Sequence, residues 1–145
     1  MSDEEFLASF ESAELPFSDW THRAHLKVAY GYLTRHPFEE ALDRMRKGVQ
    51  AYNAAHGVET TPTTGYHETL TVAWLRLVRS ALDQFGPAAS ADEFFDQQTQ
   101  LAEKRAILLF YSRDLIMSEE ARYGFVEADL APLPGHRGAT ETGTN

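Results

Sequence analysis

Three histidines carry the chemistry that this sequence can offer. His22 and His25 share the segment Thr21-His22-Arg23-Ala24-His25-Leu26, and His67 precedes Glu68 in Tyr66-His67-Glu68-Thr69-Leu70. On a helix, residues at i and i+3 have Cβ atoms about 5 to 6 Å apart, so His22 and His25 can converge on one ion. Three neutral imidazoles with an open position suit Zn²⁺, Fe²⁺, Ni²⁺ or copper, and affinity order alone does not choose among them. Such an ion would polarise an oxygen or lower the pKa of a bound water, with Glu68, Tyr111 or Asp114 moving the proton. Glu68 would also offset the cost of placing a cation at the positive end of a helix. The opposing reading is plain: a histidine on an apolar face is ordinarily a hydrogen-bonded core residue, and His-x-x-His is a weak pattern alone. Three inward imidazoles at one level are harder to dismiss, because each needs a polar partner that Leu, Ala and Val do not provide.

The elements that would position them read as helices. Ser2 with Glu5 has the spacing of a capping box, opening a first helix expected to reach about Leu15 before Pro16. Ser18 or Asp19 is expected to cap a second helix running to Arg35, with His22, His25, Leu26, Ala29, Tyr32 and Leu33 on one face. A third spans Phe38 to His56, with Glu39 and Glu40 in its first turn and Gly57 past its end. The polar stretch from Val58 to Gly65 leads into the strongest pattern of the chain: Leu70, Ala73, Trp74, Leu77, Val78, Ala81, Leu82 and Phe85 fall on one stripe, and His67 extends it backwards. Gly86-Pro87 closes this helix. Ser90 with Glu93 then opens a helix from Ala91 to about Asp114, kinked near Thr99, and Ser118 caps a last short turn.

With short connections the second and fourth helices run parallel. His22 and His67, each expected about three residues past a cap, would then share a level. The segment ending at Asp114 would bring Tyr111 and Asp114 to the same end. His36, His56 and His136 read as turn, helix-end and tail residues.

The 145 residues fit one domain, expected over 1–134 as an all-α bundle of about five to six helices, with a disordered tail over 135–145. Sustained strand alternation is missing. With 43% hydrophobic residues, nine Phe, six Tyr and two Trp, the chain can build a core without staples. The absence of cysteine excludes disulfides, iron–sulfur clusters and thiolate nucleophiles, leaving N and O donors for any metal. A net charge of −9 opposes a nucleic-acid partner. The acidic start Met1-Ser2-Asp3-Glu4-Glu5 and the lack of any apolar run near 18 residues argue against a signal peptide or membrane span, so a cytoplasmic location is expected. Nucleotide-binding glycine loops and the Gly-x-Ser-x-Gly elbow are also missing.

The words His22-Arg23-Ala24-His25-Leu26, Tyr66-His67-Glu68-Thr69-Leu70-Thr71 and Tyr111-Ser112-Arg113-Asp114-Leu115 resemble those of a group of short uncharacterised bacterial proteins, over most of the chain from Trp20 to Pro134. At the level of architecture the chain is similar to the DinB-like helical bundles, which implies three-histidine metal binding. Together these readings give a small-molecule metalloenzyme with His22, His25 and His67 as ligands, working by Lewis-acid hydrolysis or isomerisation, or by oxygen-dependent oxidation. The rival is a non-catalytic helical interaction or metal-binding module with a buried histidine network. Pairing with a second copy is open to either.

Overall fold

Ser2 and Glu5 close on each other as their spacing predicts. Ser2 Oγ accepts from the Glu5 N–H at 3.1 Å, and the Ser2 N–H donates to Glu5 Oε1 at 2.8 Å. Helix α1 (Asp3–Glu11) starts there, in a computed structural model that describes residues 1–134. The tail expected over 135–145, with His136, lies outside the described residues. α1 stops short of Leu15 because Ala13 takes φ 65°, a left-handed conformation through which a right-handed helix cannot continue. A 3₁₀ turn over Phe17–Asp19 follows. Neither Ser18 nor Asp19 caps the next helix. Thr21 does, its hydroxyl accepting from the Ala24 N–H at 3.2 Å, so α2 runs His22–Leu33 and His22 is its first residue.

α3 (Phe38–Ala55) matches its acidic first turn. In α4 (Glu68–Phe85) the expected stripe is buried at Ala73, Leu77, Val78, Ala81 and Leu82 and partly buried at Leu70 and Trp74, while Phe85 at its end is 60% exposed. The long helix expected from Ala91 to Asp114 is instead a series of short pieces: α5 (Ala91–Gln97), α6 (Thr99–Ala102), a 3₁₀ segment Lys104–Leu109 and α7 (Arg113–Ile116). Burial explains the breaks. At 3.6 residues per turn a straight helix would set Ile107 about 140° from Phe94, yet both are buried. Leaving the helical region at Gln98 (φ −100°, ψ 65°) and Glu103 (φ −95°, ψ 109°) returns Ile107 to the core. α8 (Glu119–Tyr123) is capped by Ser118, as expected.

The result is an all-α bundle, without strands among the described residues beyond an isolated bridge between Thr61 and Thr64. α2 packs against α1, α3 and α4. It runs parallel to α4: His22 meets Trp74 near one end, and Arg79 Nη1 donates to the Leu33 carbonyl at 3.3 Å near the other. The start of α4 is closed by the C-terminal segment. Thr69, fully buried, donates to the Gly124 carbonyl at 2.8 Å and accepts from the Val126 N–H at 3.1 Å. Arg122 reaches the carbonyls of Pro62 at 3.1 Å and Gly65 at 2.9 Å. Among the described residues no helix is long and apolar enough to cross a membrane.

Candidate functional site at the histidine end of the bundle

His67 is the cap of α4 itself. Its Nδ1 accepts from the Leu70 N–H at 3.0 Å, and its Nε2 lies 2.7 Å from the Ile116 carbonyl. A carbonyl only accepts, so Nε2 carries the proton and Nδ1 the lone pair. Both ring nitrogens are therefore occupied in joining the start of α4 to the end of α7. Burial holds the pKa of this ring below the usual histidine value, against the Ile116 bond that favours the charged form.

His22 and His25 differ from it in one respect. Nε2 of His22 lies 3.0 Å from the Leu101 carbonyl, and Nδ1 of His25 lies 2.8 Å from the Thr21 carbonyl. By the same argument each of those nitrogens is an N–H donor, and the opposite nitrogen of each ring has no hydrogen-bond partner among the described residues. Burial lowers both pKa values, opposed in each case by the carbonyl bond, and brings that of His25 to about 4. Burial thus favours the uncharged form of both rings. His25 lies under Trp20, with ring centroids 3.8 Å apart, and His22 meets Trp74 edge-on at 4.6 Å.

The three rings are not gathered. Because His67 caps α4 while His22 opens α2 beside Trp74, their levels differ: Trp74 lies about 10 Å further along α4 than His67 at 1.5 Å rise per residue. His25 turns towards Trp20 and the connection between α1 and α2. Among the described residues no group of three or more His, Cys, Asp or Glu stands placed to hold a metal ion.

The remaining candidates have other partners. Glu68 receives Arg46 through Nε at 3.0 Å and Nη2 at 2.6 Å, and the Tyr66 hydroxyl donates to it at 2.7 Å. Burial alone would raise its pKa, but these bonds outweigh it and hold the carboxyl below its usual value. Tyr111 is fully buried, donates to the Val126 carbonyl at 2.6 Å and has its pKa pushed up to about 12 by burial. Asp114 is exposed in the first turn of α7, since the breaks at Gln98 and Glu103 redirect the chain before it. His56 donates to the Ala13 carbonyl at 3.0 Å, and His36 lies 3.2 Å from Glu40. A groove of about 440 Å³ opens elsewhere, among Glu11, Tyr32, Glu40, Asp43, Arg44 and Lys47, and none of the three histidines lines it.

Sequence reasoning passed over Arg46 and Trp20. Arg46 follows Met45 beside the buried stripe of α3, a position where a cation needs a carboxylate, and Glu68 at the border of the facing stripe was the available one. Trp20 gave no periodic signal, because it sits outside any helix. Compared with known proteins, the chain matches no family model, no curated protein and no solved structure.

Proposed function

We propose that the protein is a small-molecule enzyme that binds a divalent metal ion, Zn, Fe, Ni or Cu, through His22 and His25, while His67 serves the fold. The observation that carries this reading is the state of the two rings: each donates one N–H to a backbone carbonyl and leaves a neutral, unshared nitrogen on an adjacent turn of α2. Fixing the far nitrogen of a ligand histidine by a carbonyl is the ordinary outer-shell support of metal sites. Two imidazoles leave the other positions to water, to substrate, or to a carboxylate that joins on loading. The ion supplies a Lewis acid when bound. Its identity separates hydrolysis or isomerisation, served by zinc, from oxygen-dependent oxidation, served by iron or copper.

A second reading, a non-catalytic helical module with a histidine hydrogen-bond network, is favoured by the fact that all three rings bond backbone carbonyls. Elemental analysis of tag-free protein, with His22→Ala, His25→Ala and His67→Ala, separates the two. The metal reading expects near-stoichiometric metal in the parent and in folded His67→Ala protein, and loss in the other two. No uptake of zinc, iron, nickel or copper by the parent sinks it; the network reading then expects all three variants to lose stability only.

A further inference from the structure

The chain has two tryptophans, and each packs on one of the two open histidines. Trp20 presents its face to His25, at 3.8 Å between centroids and 29° between planes, whereas Trp74 meets His22 at 66°. Trp20 is in turn backed by Phe10 at 4.8 Å and Tyr52 at 5.0 Å, both 1% exposed. The Tyr52 hydroxyl donates to the Leu15 carbonyl at 2.6 Å, anchoring the connection that carries Trp20. The indole thus cannot retreat without opening the core. Its own neighbour in sequence, Thr21, supplies the carbonyl that takes the N–H of the same imidazole.

We propose that Trp20 is a positioning residue for His25: its indole face and the Thr21 carbonyl together hold the imidazole in one plane and one tautomer, with Nε2 presented to a ligand. A single hydrogen bond fixes one atom of a ring and lets the ring tip about it. An aromatic face at van der Waals distance removes that freedom. The same face favours the loaded state, because a cation on Nε2 withdraws electron density from the imidazole and the indole quadrupole attracts the positive ring. This second consequence rests on the metal reading; the first does not.

Nitrogen-15 NMR of histidine-labelled full-length protein tests the positioning role, with circular dichroism melts to confirm folding. The parent is expected to hold His25 as a single Nδ1–H tautomer, with W20F close to it and W20A showing a mixture. W20L fills the volume without a π face and replaces W20A if the latter fails to fold. In parallel, a Ni²⁺ titration should find W20A about tenfold weaker than the parent, with W20F between them. An unchanged His25 tautomer in folded W20A or W20L overturns the proposal whether or not metal binds. A changed tautomer in a protein that takes up no Ni²⁺ upholds the positioning role and counts against the metal reading alone.

Discussion

His67 shows how one side chain can satisfy a sequence pattern for a reason the pattern does not contain. Its inward placement is legible from the α4 stripe. Its role as cap is not, because caps are recognised as Ser, Thr, Asp or Asn, and an imidazole lone pair does the same work here. His67→Ala removes both the cap and the partner of the Ile116 carbonyl, and is expected to cost about 2 to 4 kcal/mol in urea unfolding, as the sum of a cap and an unsatisfied buried acceptor. His67→Asn should recover the cap share and leave the rest lost; equal losses for the two variants would contradict the double role. The ring also sets a pH dependence. Its folded pKa is depressed, so the unfolded state takes up the proton more readily, and stability is full above the ordinary value of about 6.5 and declines as pH falls below it. In the metal-free protein His22 and His25 add to this with the same sign. Unfolding midpoints between pH 7.5 and 5 should fall for the parent and fall less for His67→Asn.

Among the elements, the legible ones were those with local signals. The capping box of α1 and the acidic start of α3 depend on neighbours within one or two turns and form as their spacing predicts; the stripe of α4 is buried at Ala73, Leu77, Val78, Ala81 and Leu82, but Phe85 is exposed and His67 lies before the helix as its cap. The segment after Ser90 departs from the single helix its pattern predicts because its breaks follow from where Phe94, Phe95, Leu101 and Ile107 must be buried, which is a property of the surface they cover. Close approach between α1 and α3 is equally hidden. A Cβ added at Gly48 would lie 2.9 Å from Phe10 Cε2, and Phe10 is held between Trp20 and Tyr52. Gly48→Ala should therefore destabilise by about 1 to 3 kcal/mol despite the better helix propensity of alanine. A stabilising effect in thermal unfolding would show that α1 can yield. The pairing of α3 with α4 through Arg46 and Glu68 gives a second check. Glu68→Gln weakens a two-point ion pair that is partly open to solvent, and should cost about 1 to 2 kcal/mol, less at high salt. Insensitivity to salt would mean that the Tyr66 hydrogen bond, not the charge, matters.

For the whole molecule, the all-α class is legible in the helical patterning, whereas the candidate site is legible only as residue types. Its geometry depended on the register of two parallel helices, and one misplaced cap at each was enough to put three imidazoles at one level on paper. If His22 and His25 bind an ion, the ion acts on the folded state as a whole. Ni²⁺ at a hundredfold excess over its dissociation constant should add about 2.7 kcal/mol and raise the melting temperature by several degrees, and His25→Ala should abolish the shift. The closure of α4 by Ile116, Gly124 and Val126 bears on the birth of the protein rather than on its chemistry. Synthesis runs from the N-terminus, so on the ribosome the start of the longest apolar stripe is finished well before the strand of chain that satisfies His67 and Thr69 exists. Those groups must wait in water until that segment has been made, which makes the closure of α4 a late step of folding. A chain released before Ile116 would carry α1 to α4 complete in sequence and still lack its closing segment, leaving it exposed to proteases.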